Sequence, residues 1–243
     1  MNILLKMIPE LKHASVRMRD GGRVETIIEH MRREGPNALQ VISDFDMTLT
    51  RFAHNGTRCP TSYGILHSSA VISEDCKAKM SDLFDLYYPV EINNSMSVEE
   101  KIPHMEEWSE ITPSLTPSSV SILHSSAVIS EDCKAKGVVR AFKGDVIHAF
   151  NKREGALQNT QQFVHDRSNV LLLGDSLGDL DMADGVQGLR NILRIGYLSD
   201  KVEERREAYV RSYDIVLEKD ETLDVPNAIL NYITAEKRDH APV

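Results

Sequence analysis

Two short apolar runs that end abruptly in acidic residues constrain this fold more than any other feature of the chain. Residues 39–50 read LQVISDFDMTLT, and residues 169–175 read NVLLLGD. Short runs rich in branched apolar residues are typical of strands that are buried on both faces. Similar runs occur at residues 192–197 and 213–217, with helical patterns between and after them. The sequence therefore predicts a parallel α/β sheet, which binds ligands at the carboxyl ends of its strands.

The middle of the chain has a different character. Residues 99–108 have a helical pattern, whereas residues 109–121 are rich in Ser, Thr and Pro without periodicity, which predicts a linker. The segment ILHSSAVISEDCKAK occurs twice, at residues 65–79 and 122–136. Two copies are too few for a solenoid, so we interpret them as a recent duplication, alternative exon use or a fault in the gene model.

Composition and charge exclude several classes of partner. A net charge of -9 argues against nucleic acid, and no apolar run is long enough to span a membrane. The three cysteines have no metal-site spacing, and the N-terminal residues do not resemble a secretion signal. We therefore expect a cytoplasmic monomer whose partner is a small molecule, neither nucleic acid nor a membrane.

The acidic residues at the first strand end are Asp44 and Asp46. Two neighbouring carboxylates are costly unless a cation neutralises them or one is protonated, so the pair indicates a hard metal ion, acid/base chemistry or both. A helix N-cap followed by a solvated acid is the alternative for an isolated pair. A second cluster, GDSLGDLDMAD, begins at Gly174; it is not an EF-hand loop, because the sixth residue counted from Asp175 is not Gly. Two such clusters in one parallel sheet can converge on a single cation.

These motifs, with a lysine between them, resemble motifs one, three and four of the haloacid dehalogenase-like phosphohydrolases. Longer stretches, including LQVISDFDMTLTRFAHNGTRCPTSY, FKGDVIHAFNKREGAL and KVEERREAYVRSYDIVLEKDETLDV, are similar to the cytosolic 5'-nucleotidase III family. The similarity is to the forms that act on 7-methylguanosine monophosphate and cytidine monophosphate. The resemblance implies a Rossmann-like, doubly wound parallel sheet with a truncated helical cap. We expect core segments at residues 1–52 and 137–243, and the cap remnant at residues 53–136.

The resemblance also implies a magnesium-dependent mechanism and the residues that carry it out. Asp44 would be the nucleophile that forms an aspartyl-phosphate, and Asp46 would be the general acid and base. The Asp44 carboxylate, the Asp46 backbone carbonyl and Asp175 would hold Mg²⁺. Asp179 would orient water or Lys152, the lysine that binds the phosphate.

The cap residues would select the base. Glu91 matches the family residue that reads the base edge, and a carboxylate suits the positive charge of N7-methylguanine. Tyr63 and Trp108 are candidates for stacking on that ring. Each residue has a purely structural alternative, as a solvated acid or as part of the helical core. Ser109 stands where the methylguanosine-type enzymes tend to have a second Trp, which is a departure from their pattern.

A larger departure lies between Trp108 and Phe142, where the family carries several tens of additional residues. They include a core strand and motif two, whose Ser-Ala pair binds the transferring phosphoryl group. Here the second repeat copy takes their place, and Ser126 within SILHSSA is the nearest imitation of that pair. Losing one phosphate-binding hydroxyl costs about 10²–10³ in rate, so we expect low nucleotidase activity. Two alternatives remain open: a less selective phosphatase of the same superfamily, and a non-catalytic variant that keeps the metal site.

Overall fold

The structure, a computed structural model, describes residues 4–70, 73–93, 95–115 and 167–235. The chain divides into two compact units, one formed by residues 1–59 with 158–243 and the other by residues 60–157. The first boundary follows residue 59, where the sequence analysis expects residue 52. Residues 53–59 belong to the first unit, where the amide of Ala53 donates a hydrogen bond to the carboxylate of Glu221.

The described strands of the first unit are β1 (Val16–Met18), β2 (Leu39–Ser43), β3 (Ala53–His54), β4 (Thr57–Arg58), β5 (Asn169–Gly174), β6 (Asn191–Leu198) and β7 (Ile215–Glu218). Five of them form a mostly parallel sheet with the order β1-β7-β6-β5-β2, and β3 and β4 form a separate hairpin. Within the described strands of this five-stranded sheet, only β1 pairs in the antiparallel direction, on the outer side of β7. The four strands that the sequence predicts are confirmed as β2, β5, β6 and β7. The short strands β1, β3 and β4 are not predicted, because two or three residues carry no recognisable alternation.

Both faces of the sheet are buried at β5, as its apolar run predicts, but β2 is not buried on both faces, since Val41 is 48% exposed. All six residues of β5 are buried. Leu171 and Leu173 belong to one hydrophobic cluster, whereas Val170 and Leu172 belong to the other. Since successive side chains of a strand point to opposite faces, the two clusters lie on opposite sides of the sheet. The doubly wound α/β architecture is therefore confirmed.

In the described parts of the chain, the helices are α1 (Leu4–Met7), α2 (Gly21–Glu34), α3 (Ser62–Ser68), α4 (Glu74–Glu91), α5 (Val98–Leu115), α6 (Val202–Ser212) and α7 (Asp224–Thr234). The apolar periodicity of the sequence predicts α2, α5, α6 and α7, whereas α1, α3 and α4 are not predicted. Helix α2 begins where the carboxylate of Asp20 accepts a hydrogen bond from the amide of Arg23, which satisfies an otherwise unpaired donor of the first turn. Among the described residues, no helix has the length and apolar character that crossing a membrane requires.

The two faces of the sheet are covered by different helices of the first unit. Residues of α2 and α7 belong to the cluster that contains Leu171, and residues of α6 belong to the cluster that contains Leu172. The carboxyl end of β5 therefore lies in a part of the sheet that is covered from both sides, and β2 ends beside it through parallel pairing.

The second unit contains the helices α3, α4 and α5 within its described residues. The linker prediction is wrong for residues 109–115, which continue α5 to Leu115. Extending an existing helix costs much less than starting one, so a segment of weak helical pattern can follow a well-formed helix. Residues 116–121, the rest of the predicted linker, lie outside the described residues.

Candidate active site

The strand pairing fixes the position of Asp44. Residues 39–43 of β2 pair in parallel with residues 169–173 of β5, so that Ser43 lies opposite Leu173. The amide of Asp44 then donates to the carbonyl oxygen of Leu173 at 3.0 Å, which extends the ladder beyond the strand end. Asp44 consequently leaves β2 beside the residues that follow Leu173.

The chain turns sharply after Asp44 and places Asp46 within the turn. The amides of Leu49 and Thr50 both donate to the carbonyl oxygen of Phe45. Met47 has a φ of 63°, a left-handed conformation that is uncommon outside glycine, and its amide donates to the hydroxyl of Thr50 at 2.9 Å. Strained turns of this kind cluster at functional sites. Asp46 is half-buried here, and its side chain lies outside the carboxylate group described next.

Three carboxylates meet at the ends of β2 and β5. Asp44, Asp175 and Asp179 each offer one oxygen atom, and these atoms lie within 4.8 Å of one another. Asp44 and Asp175 are half-buried, and Asp179 is fully buried. Carboxylates this close repel one another in a poorly solvated site, and a cation relieves the repulsion. Oxygen atoms are the ligands that Mg²⁺ and Ca²⁺ prefer, so the group suits a hard divalent cation.

Asp179 has a structural task that the sequence analysis does not anticipate. One oxygen of its carboxylate, Oδ2, accepts hydrogen bonds from the backbone amides of Asp175 at 3.0 Å and Ser176 at 2.9 Å. The buried carboxylate therefore holds the loop after β5, in addition to lying beside the other two acids.

Gly174 provides the space that Asp179 occupies. A Cβ atom at Gly174 would lie 2.5 Å from the Cβ atom of Asp179 and 2.6 Å from its Oδ2. These separations are far shorter than an ordinary van der Waals contact. The glycine before Asp175 is thus required by packing, because it lets the buried carboxylate approach the strand.

Two tyrosines bind the other side of the same loop. The hydroxyl of Tyr209 donates to the backbone carbonyl of Asp175 at 2.6 Å, and that of Tyr213 donates to the carbonyl of Ser176 at 2.5 Å. Burial, and to a smaller degree the charge of Asp175, raises the pKa of Tyr209 to about 12. Burial raises the pKa of Tyr213 well above its ordinary value, and the charge of Asp179 adds to the effect. Both phenols therefore remain protonated donors at neutral pH.

In the second unit, Glu91 is the last residue of α4, and its backbone is tied to α5. The Nζ atom of Lys101 donates to the carbonyl oxygen of Glu91 at 2.9 Å. Lys101 is buried, and this burial lowers its pKa, while the nearby Glu91 acts in the opposite direction. A lysine at the end of a helix also interacts favourably with the helix dipole.

Tyr63 and Trp108 belong to an aromatic cluster in the same unit. The ring of Trp108 lies 5.9 Å from that of Tyr87 in a stacked arrangement, and 6.2 Å from both Tyr63 and Phe84 in edge-on arrangements. The phenol of Tyr63 donates to the carbonyl of Met80. Centroid separations of this size are typical of favourable aromatic pairs. Phe84, which the sequence analysis does not single out, is exposed, whereas Tyr63 and Trp108 are half-buried.

Two residues named by the sequence analysis, Lys152 and Ser126, lie outside the described residues. The structural roles of Tyr209, Tyr213 and Gly174 are missing from the sequence analysis. The helical pattern of α6 places Tyr209 on its buried face, but no local sequence signal connects a tyrosine to a loop that ends another strand.

Acidic residues that converge from two strand ends of a doubly wound sheet fit the haloacid dehalogenase-like fold that the sequence resemblance implies. A family model described as pyrimidine 5'-nucleotidase (UMPH-1) matches residues 47–126 and 122–234. The chain belongs to this pyrimidine 5'-nucleotidase family, and it is by family a phosphoric monoester hydrolase.

Several curated relatives extend this result. The 7-methylguanosine phosphate-specific 5'-nucleotidase of Homo sapiens is 41% identical over 287 aligned positions, covering 94% of this chain and 96% of the relative. The protein of the same name from Rattus norvegicus is 40% identical, covering 93% and 95%, and that from Drosophila melanogaster is 31% identical, covering 96% and 92%. The alignment with the human protein is longer than the 243 residues of this chain, so the relative has residues where this chain has none.

A solved structure agrees with the sequence relatives. The crystal structure of cytosolic 5'-nucleotidase IIIB bound to cytidine matches with a TM-score of 0.83 and 29% sequence identity, covering 94% of this chain and 97% of that chain. The expected relationship to the cytosolic 5'-nucleotidase III proteins is therefore confirmed, together with the fold.

Proposed function

We propose that this chain is a magnesium-dependent 5'-nucleotidase that hydrolyses 7-methylguanosine monophosphate and cytidine monophosphate to the nucleoside and phosphate. The observation that carries the proposal is the convergence of the Asp44 and Asp175 carboxylates at two strand ends. Family membership supports the reaction type, and the names of the relatives support the two substrates.

The residues present fit a magnesium ion. Hard cations bind oxygen ligands, and the group offers carboxylate oxygens from Asp44, Asp175 and Asp179. Asp44 and Asp175 would hold the ion, with the backbone carbonyl of Asp46. When bound, Mg²⁺ would neutralise charge on the phosphate oxygens and fix their orientation.

Asp44 and Asp46 would carry out the chemistry. A carboxylate oxygen of Asp44 would attack phosphorus, and the bond from phosphorus to the ribose 5'-oxygen would break, leaving an aspartyl-phosphate. Asp46 would give its proton to the departing oxygen. It would then take a proton from the water that hydrolyses the aspartyl-phosphate. Lys152 would balance the charge of the phosphate.

The second unit would recognise the base. Glu91 would accept hydrogen bonds from exocyclic amines, and its charge would favour the cationic N7-methylguanine. Tyr63 and Trp108 would offer aromatic faces to that ring. The bond from Lys101 to the Glu91 carbonyl supports this role, because it fixes the backbone from which the Glu91 side chain projects.

The test is phosphate release by the purified chain from five substrates: 7-methylguanosine, cytidine, uridine and adenosine monophosphates, and p-nitrophenyl phosphate. We expect selective, magnesium-dependent turnover of the first two, abolished by chelator and restored by Mg²⁺. The sequence lacks a motif-two hydroxyl, so rates about 10²–10³-fold below those of a full-length relative are expected. Unselective turnover of all five would contradict base selection by the second unit, and metal binding without turnover would contradict the nucleotidase proposal.

Glu91→Gln tests base selection separately from chemistry. It keeps the size of the side chain but removes the charge, so we expect a lower kcat/KM for 7-methylguanosine monophosphate and an unchanged value for p-nitrophenyl phosphate. Glu106→Gln is the matched control, since it removes one exposed acid from the same unit. Equal losses for both substrates would contradict a role in reading the base.

A further inference from the structure

Every backbone polar group of Asp175 and Ser176 is bound by a side chain. The two amides donate to Oδ2 of Asp179, and the two carbonyls accept from the phenols of Tyr209 and Tyr213. These two peptide units follow β5 directly and carry one of the three carboxylates of the site. The Ser176 carbonyl also accepts a hydrogen bond from the backbone amide of Asp179 at 3.2 Å, so the loop has little freedom to rotate.

The two tyrosines are themselves held rigidly. Their side chains are almost fully buried, with 4% exposure for Tyr209 and 2% for Tyr213. Their rings stack on each other with centroids 5.6 Å apart. Tyr209 lies in α6 and Tyr213 follows its end, where the amide of Tyr213 donates to the carbonyl of Tyr209 at 2.8 Å.

A glycine on β6 makes room for this arrangement. A Cβ atom at Gly196 would lie 2.5 Å from Cδ2 of Tyr213. The ring of Tyr213 therefore packs directly against the backbone of β6, the neighbour of β5 in the sheet. The phenols are fixed to the sheet from which the acidic loop emerges, and their hydroxyls cannot move far from the carbonyls that they bind.

The negative charge of the loop explains why hydrogen-bond donors stabilise it. A carbonyl oxygen carries a partial negative charge, and the carbonyls of Asp175 and Ser176 lie on the same loop as the carboxylates. The positive end of a neutral phenol O–H dipole partly offsets that charge without adding a competing cation. The bond also fixes the peptide plane, and with it the direction in which the Asp175 side chain leaves the backbone.

We infer that Tyr209 and Tyr213 are positioning residues, which hold the peptide units of Asp175 and Ser176 so that the Asp175 carboxylate is preorganised for a divalent cation. This inference rests on the proposed metal-dependent function and adds two residues that touch neither cation nor substrate. Mutation of a residue that forms a hydrogen bond to a metal ligand typically lowers metal affinity or activity about 10–100-fold.

The test uses Tyr209→Phe, Tyr213→Phe and the double variant in the full chain, with Mn²⁺ as a spectroscopic probe. Phenylalanine keeps the stacked rings and removes only the hydroxyls. We expect Mn²⁺ binding, measured by electron paramagnetic resonance, to weaken about tenfold in each single variant. Saturating metal should restore much of the lost kcat, and KM for the nucleotide should change little. A merely structural role would lower the melting temperature without moving the Mn²⁺ affinity of the folded protein.

Tyr197→Phe is the matched control. Its hydroxyl also donates to a backbone carbonyl, that of Thr222 at 3.1 Å, but Tyr197 belongs to the hydrophobic cluster on the other face of the sheet. We expect it to lose stability and to keep its Mn²⁺ affinity. Affinities within twofold of the parent chain in both folded tyrosine variants, or an equal loss in Tyr197→Phe, would overturn the inference.

Asp175→Asn separates this inference from the proposed function. If Asp175→Asn loses Mn²⁺ binding and the tyrosine variants do not, the proposed metal site is supported and the positioning role of the tyrosines is wrong. If Asp175→Asn binds Mn²⁺ as tightly as the parent chain, the proposed metal site is wrong and the inference fails with it. Circular dichroism at low temperature shows that each variant compared is folded.

Discussion

The amide of Asp44 donates a hydrogen bond to the carbonyl oxygen of Leu173, 3.0 Å away, one residue beyond the regular pairing of β2 with β5. This bond joins the two strand ends that carry the acidic residues. It sets the position of the Asp44 backbone relative to Gly174 and Asp175, so the approach of the carboxylates follows from strand register.

Asp44→Asn tests the proposed nucleophile. The change keeps the shape of the side chain but removes the attacking oxygen anion and one negative charge of the group. We expect kcat to fall at least about 10³-fold, because the covalent route is lost. The measurement is phosphate release from cytidine monophosphate, with folding checked by circular dichroism.

Asp181→Asn is the control for this loss. Asp181 is an exposed acid in the 3-10 helix that follows Asp175, outside the group of three carboxylates. The same charge change there should leave kcat within a factor of two of the parent value. Retention of full activity by Asp44→Asn would show that another residue is the nucleophile.

Asp179 should be more important for stability than an ordinary acidic residue. Asp179→Ala removes the acceptor of two backbone amides and leaves a fully buried cavity. Each buried donor left without a partner costs about 1–3 kcal/mol, so we expect the free energy of unfolding to fall by about 2 kcal/mol or more. Asp179→Asn keeps an oxygen acceptor and should lose less. Urea unfolding of both variants measures these losses. A free energy of unfolding for Asp179→Ala equal to that of the parent chain would contradict the role given to these bonds.

Gly174→Ala should damage the loop through packing alone. The added methyl group would overlap the Asp179 side chain, so that side chain would have to move away from the amides that it binds. Overpacking of this kind costs about 1–3 kcal/mol, and Mn²⁺ binding should weaken as well. Gly21→Ala is the control, since a Cβ atom there meets no atom within 4 Å. Thermal unfolding of the two variants gives the comparison, and equal melting temperatures would contradict the packing argument.

The raised pKa values of two tyrosines predict that the protein loses stability at high pH. Burial is the main cause that raises the pKa of Tyr63 and that of Tyr209, each to about 12, whereas an unfolded tyrosine has a pKa of about 10. Above pH 10 the folded chain therefore binds more protons than the unfolded chain. The free energy of unfolding should be insensitive to these groups below about pH 10 and should fall as the pH rises toward 12.

Ultraviolet absorbance of the phenolate measures this directly. In denaturant, all seven tyrosines should ionise near their ordinary value, whereas in the native chain Tyr63 and Tyr209 should ionise later. Tyr63→Phe should remove one of the late ionisations. Ionisation of all native tyrosines near pH 10 would contradict the burial described here.

Local patterns are sufficient to predict the four parallel strands of the sheet and the acidic residues at two of their ends. Residues such as Leu171 and Ile195 form continuous apolar runs, and Asp44 and Asp175 follow two of them directly. The loop contacts of Asp179, Tyr209 and Tyr213 could not be predicted, because they depend on three-dimensional packing between segments that have no common sequence signal. The helical course of residues 109–115 was missed for a related reason: its support comes from the preceding turns of α5 rather than from its own composition.

The pairing of β2 with β5 has a consequence for how the chain acquires its site. These strands are far apart in sequence; the side chain of Gln40, for example, binds the carbonyl of Arg167, 127 residues later. During synthesis, Asp44 emerges from the ribosome long before its partners exist, and closing such a long loop is slow. Metal binding should therefore appear late in refolding, together with the formation of this non-local strand pair. The N-terminal half of the nascent chain should not yet bind the metal ion.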